Sequence, residues 1–82
     1  MVLHFAEIVE LRRDPGKRVF DVTIGGRKVL PAFDIAREAG FRKPLARAFE
    51  AEVRDGLLTI EFYPGKGGAL VNAIEVLPVG AP

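Results

Sequence analysis

The stretch RVFDVTIGGRKVL, residues 18–30, decides how the rest of the chain is read. Phe20, Val22 and Ile24 alternate with Val19, Asp21 and Thr23, the period of a half-buried strand. Gly25-Gly26 then supplies the positive φ angles that a two-residue hairpin turn requires. The segment RKVL returns antiparallel, and Pro31, which has no N–H to donate, is expected to end the pairing.

Outward from this hairpin the pattern continues. VLHFAEIVEL (2–11) reads as a strand with Leu3 and Phe5 on one face and His4 and Ala6 on the other; Ile8-Val9 breaks the phase as a bulge would. Asp14, Pro15 and Gly16 have turn chemistry. FDIAREAGF (33–41) carries an N-cap candidate, Asp34, and a terminal glycine, Gly40, which predicts a short helix over 34–39. Residues 44–53 fit a helix by the spacing of Leu45, Phe49 and Val53, and a strand by the alternation of Phe49, Ala51 and Val53. Asp55-Gly56 before the clean alternation of Leu58, Ile60 and Phe62 is a hairpin signal, and it favours the strand. YPGKGGA (63–69) reads as a loop and LVNAIEVL (70–77) as a last strand. The expected strands are thus 2–11, 18–24, 46–54, 57–63 and 70–77, with a core of Phe5, Phe20, Val22, Ile24, Leu58, Ile60, Phe62 and Ile74. The fold class is all-β, an antiparallel sandwich or partial barrel in one unit over residues 1–82.

Composition excludes several function classes. Twelve basic and 11 acidic side chains, well mixed, give a net charge of +1 and no basic stripe for nucleic acid. With no cysteine and one histidine, neither a disulfide framework nor a thiolate or multi-histidine metal site can form. No apolar run approaches the roughly 20 residues of a membrane span, and the N-terminus lacks the features of a signal peptide. The chain is expected to be soluble, with no membrane partner and no cofactor.

The motifs that could carry chemistry are sparse. GKGGA resembles a phosphate cradle only superficially, since the upstream glycine spacing and the hydroxyl after the lysine are missing and a strand follows. His4 has no hydroxyl–carboxylate pair at readable spacing. Glu7, Glu10, Glu50, Glu52 and Glu61 are spread over strand faces, where carboxylates solvate a sheet. Asn72 lies among apolar residues and is expected to be buried and to pin a loop through hydrogen bonds. Tryptophan is absent, and Tyr63 is the sole tyrosine, so stacking equipment is thin.

The blocks LHFAEI, PGKRVFDVTIGGRKVL, FDIAREAG and RDGLLTIEFYPGKGGALVNAIEVL resemble, in order and spacing, the C-terminal half of malectin and malectin-like carbohydrate-binding domains over residues 2–77. The resemblance implies a jelly-roll β-sandwich and a non-catalytic module for glucose-containing saccharides. Where malectin carries an aromatic pair after the FAE block, this chain has Val9 and Glu10. An acidic site residue of the family falls near Gly67 and Gly68.

The expected function is a carbohydrate-binding-type module whose binding is weak or lost, with loop-tip contacts from Glu7, Glu10, Tyr63 and Lys66. The alternative is a structural domain that self-assembles without a sugar site. On either reading the chain is expected to be a homo-oligomer, a symmetric homodimer, because Phe20, Val22, Ile24, Leu58, Ile60 and Phe62 would leave an apolar face uncovered in half a sandwich.

Overall fold

The structure, a computed structural model, describes residues 1–51, 53 and 56–76. The hairpin forms as its sequence dictates. β2 (Val19–Ile24) and β3 (Arg27–Phe33) are joined by Gly25 and Gly26 at φ +58° and +81°, the left-handed pair of a type I′ turn. Pro31 does not end the pairing. β3 runs on to Phe33, which sits opposite Phe20, because the register shifts around Asp21 and a bulge takes up the proline. Ala32, at φ +46°, turns its N–H onto Asp21 Oδ1 at 2.7 Å, so the bulge keeps a satisfied donor.

β5 (Ile60–Lys66) flanks β2 on the other side, pairing Ile24 with Ile60 and Val22 with Phe62. The resulting sheet, β3-β2-β5, faces a second one, β4-β1-β6, built from β1 (Val2–Phe5), β4 (Leu45–Ala48) and β6 (Ala73–Glu75). All pairings within the two sheets are antiparallel. The expected all-β sandwich with one short helix is therefore present. α1 (Ile35–Ala39) starts where expected: Asp34 accepts from the Arg37 N–H at 3.2 Å and, through its other oxygen, from Gly16 N–H at 2.7 Å. One buried carboxylate thus caps the helix and ties it to the Asp14–Lys17 turn.

The core lies between the sheets. Leu3 and Phe5 from β1 meet Phe20 and Val22 from β2, Leu30 and Phe33 from β3, and Ile35 from α1. Phe5 packs at 4.9 Å from Phe33 and 6.1 Å from Phe20, ring centre to ring centre. Of the eight expected core residues, Phe5, Phe20, Val22 and Ile24 are buried, Leu58, Ile60 and Phe62 are half-buried, and Ile74 is 44% exposed. Ile74 has the right phase, opposite Leu3, but sits on an edge strand with no neighbour beyond it among the described residues. The apolar face of β2 is likewise not left open, since β1 of the same chain covers it.

Strand bounds differ from expectation for identifiable reasons. β1 stops at Phe5 because Glu7 leaves the sheet for a parallel bridge with Phe41, and a 3₁₀ turn, Glu10–Arg12, replaces the expected strand end. β5 extends three residues beyond Tyr63, through the expected YPGK loop. β6 is short because Asn72 turns to β1, its N–H donating to His4 O at 2.9 Å and its Oδ1 accepting from Ala6 N–H at 2.8 Å. Asn72 does pin the chain, but from an exposed position. The strand expected over 46–54 is met only by β4: residues 49–51 and 53 are described and carry no strand, and β4 and β5 lie in different sheets, so the hairpin expected across Asp55-Gly56 does not pair them. Residues 52, 54, 55 and 77–82 lie outside the described residues. Among the described residues no helix is long and apolar enough to cross a membrane.

Candidate functional site

The four residues selected from the sequence fall in two separate regions. Glu7 and Glu10 lie at the end of the sandwich where β1 runs into the 3₁₀ turn. Glu7 follows the inward phase of Leu3 and Phe5 and is fully buried. Its carboxylate accepts from Arg18 Nε at 2.6 Å and from Val9 N–H at 3.3 Å, and its carbonyl accepts from Arg42 N–H at 2.8 Å. A carboxylate so engaged knits three segments together and offers nothing to solvent. Glu10 is exposed and pairs with Arg13 at 2.7 Å. Beside it, the Arg13 and Arg42 guanidiniums stand 5.2 and 5.3 Å from the centre of the Phe41 ring. Arg12 Nε donates to Gly67 O at 3.3 Å, which holds the glycine loop against this end.

Tyr63 is on a strand rather than a loop tip. It lies opposite Asp21 on the outer face of β3-β2-β5 and is 48% exposed as a residue. Lys66 lies opposite Val19, after a register shift at Gly65. Residues that pair directly share a face, so that bulge returns Lys66 to the face of Val19, Asp21 and Tyr63. The close approach is visible at Gly65, where a Cβ would sit 3.1 Å from Val19 O.

Three neighbours of Tyr63 on this face were not selected from the sequence. Glu61 accepts from the Tyr63 hydroxyl, and this bond holds the phenol above the ordinary tyrosine range. Asp21 accepts from Ala32 N–H and pairs with Lys28 Nζ at 3.2 Å, which together keep its carboxyl below the usual carboxylate range. Thr23 lies between Lys28 and Glu61 in the cross-strand register, and its hydroxyl is buried without a hydrogen-bond partner. The alternation of β2 already placed Asp21 and Thr23 outward. Their grouping with Glu61, Tyr63 and Lys28 depends on cross-strand registers that no local pattern encodes.

Two further features complete the described surface. His4 Nε2 pairs with Glu75 Oε1 across β1 and β6. An open groove of about 570 Å³ lies beside the Gly25 turn, between Arg27, Glu50 and Leu57, and none of the four selected residues lines it.

Comparison with known proteins places this arrangement. The family model for the malectin domain matches residues 1–78. Receptor-like protein 4 of Arabidopsis thaliana is 40% identical over 79 residues, covering 94% of this chain and 13% of that protein. A probable LRR receptor-like serine/threonine-protein kinase of the same organism is 39% identical over 75 residues, covering 84% of this chain and 7% of the kinase. A second probable leucine-rich repeat receptor-like kinase is 33% identical over 92 residues, covering 93% of this chain and 9% of its own length. The chain thus spans only a small part of the relatives it matches, and that part is the one the family model describes: the chain belongs to the malectin domain family.

Proposed function

We propose that the chain acts as a non-catalytic, carbohydrate-binding-type module with low saccharide affinity. The observation that carries this reading is the family match across residues 1–78 on a sandwich whose framework is in place. The relatives named as kinases match over 7% and 9% of their length, so their name lends this segment no catalytic role. Low affinity follows from the side chains. At the loop end Val9 and Glu10 stand where the family carries an aromatic pair, Glu7 is committed to Arg18, and Tyr63 offers one aromatic ring. Polar groups around a single ring give millimolar binding, about 4 kcal/mol. A glycan array followed by titration calorimetry tests the reading. Binding of one glycan class in the millimolar range is the expected result, and no response to any saccharide at tens of millimolar would defeat it.

Self-association is the second reading, and the open sheet edges favour it. Among the described residues β3, β5, β4 and β6 each pair on one side only. Ile60 and Phe62 on β5 stay half-exposed while Val22 beside them is fully buried. A second copy pairing along the seven residues of β5 would cover both. Sedimentation at micromolar concentration should then give twice the 8.9 kDa mass of the chain; a single-chain mass with a cooperative thermal transition ends this reading.

A further inference from the structure

The outer face of the β3-β2-β5 sheet carries more binding equipment than a solvated sheet needs. Its one large apolar surface is the ring of Tyr63, an exposed residue fixed through its hydroxyl to Glu61. Beside it, Asp21 and Lys28 form a close pair at 3.2 Å. Diagonal to Tyr63 across β2 and β5 lies Thr23, 9% exposed, whose hydroxyl has no hydrogen-bond partner. An orphaned buried hydroxyl is uncommon and costs stability unless another state satisfies it.

We propose that this face is the saccharide site, taking an uncharged, extended oligosaccharide that stacks one pyranose on Tyr63 and bonds through its hydroxyls to Asp21, Lys28 and Glu61. The proposal rests on the carbohydrate-binding reading above and moves the site from the loop end to the sheet.

The chemistry of each group fits. A tyrosine ring presents an apolar face to pyranose C–H groups while its hydroxyl stays wet. The Asp21–Lys28 pair combines an acceptor and a donor, which suits two neighbouring hydroxyls of one sugar. Glu61 can accept from a sugar hydroxyl if the phenol releases it. Thr23 is the diagonal neighbour of Tyr63 across β2 and β5, so its hydroxyl can take up the Tyr63 hydroxyl at that moment. The orphan is then satisfied in the bound state.

Charge selects the ligand class. Two carboxylates, Asp21 and Glu61, face two ammonium groups, Lys28 and Lys66, so the surface favours a neutral chain over a uronate. From Glu61 to Lys66 the strand runs roughly 16 Å, a length that an oligosaccharide rather than a single pyranose spans. The platform is stiff, because Phe20, Val22 and Ile24 on the opposite side of β2 are buried in the core.

Amide NMR titration of the 82-residue chain with cellotetraose, maltotetraose and tri-galacturonate separates the outcomes. The expected result is a set of shifts at Asp21, Thr23, Glu61 and Tyr63 with a neutral tetraose. Affinity should fall roughly five- to tenfold in Tyr63→Ala, fall in Glu61→Gln, and stay unchanged in Arg42→Ala at the loop end. Shifts centred on Val9–Arg12 and Gly67-Gly68, with binding that survives Tyr63→Ala, would overturn the placement and leave the carbohydrate-binding reading intact. Stronger binding of tri-galacturonate would overturn the neutral class. No response to any of the three would overturn the placement and count against the carbohydrate-binding reading as well.

Discussion

The buried Glu7–Arg18 pair is the strongest test of the loop end. Glu7 is fully buried and Arg18 is 11% exposed, with 2.6 Å between Oε1 and Nε. Arg18→Ala strands a carboxylate where water cannot reach it, and breaking a buried pair on one side costs about 3–5 kcal/mol. For a chain of 82 residues, total stability on the order of 4–12 kcal/mol is expected, so the loss removes a quarter or more of it. The exposed Arg13–Glu10 pair, 54% and 65% exposed, is the control, since a surface pair contributes about 0.2–1 kcal/mol. Replacing both partners, Glu7→Met with Arg18→Met, removes the charge and keeps the volume. Val9 N–H loses its acceptor but is 41% exposed as a residue and can turn to water. The double variant should therefore lie within about 1–2 kcal/mol of the parent chain. Urea unfolding followed by circular dichroism, with Arg18→Lys as a milder variant if Arg18→Ala does not fold, closes the cycle. A loss below about 1 kcal/mol for Arg18→Ala would mean that Glu7 is hydrated and free for a ligand. A double variant as unstable as Arg18→Ala would mean that packing, not the stranded charge, sets the cost.

Further outcomes follow from single positions. Phe20→Ala should cost about 3–5 kcal/mol in urea unfolding, whereas Ile74→Ala, at 44% exposure, should cost clearly less; equal losses would show that β6 is covered in solution. Asp21 has its folded-state carboxyl held below the ordinary range by Ala32 N–H and Lys28. Its contribution is therefore present above the ordinary aspartate range and is lost as pH falls through the lower folded value, so the stability gap to Asp21→Asn should close on acidification; a gap independent of pH contradicts the arrangement. Gly67→Ala should destabilise more than Gly68→Ala, though both have positive φ, because a Cβ at 67 meets Lys17 O at 2.1 Å and one at 68 meets only Arg18 Nη1 at 3.5 Å. Equal thermal midpoints for the two variants would refute the packing of the glycine loop on the Asp14–Lys17 turn.

What could be read from the sequence was local. The Gly25-Gly26 turn, the Asp34 cap and the phase of Phe20, Val22 and Ile24 each depend on residues within a few positions of one another, and each stands as expected. What could not be read was long-range. Glu7 already sits on the inward phase of Leu3 and Phe5, yet a carboxylate there makes sense only once Arg18, 11 residues on, folds back against it. Leu30 and Phe33 joined the core because β3 passes Pro31 through a bulge, which a proline in a strand ordinarily argues against.

The candidate site shows the same division at its sharpest. Tyr63 was legible as the sole tyrosine, and Lys66 three positions later should, by strict alternation, point to the other side of the sheet. The bulge at Gly65, opposite Val19, reverses that single step and brings Lys66 back to the face of Tyr63. Glycine fits because a side chain would press on Val19 O. A one-residue change of phase moves a whole side chain between core and solvent, so this one irregularity decides whether the charge balance around Tyr63 includes two lysines or one. With Lys28 alone the face would be net acidic; with Lys66 returned to it, the face is balanced and suited to an uncharged ligand.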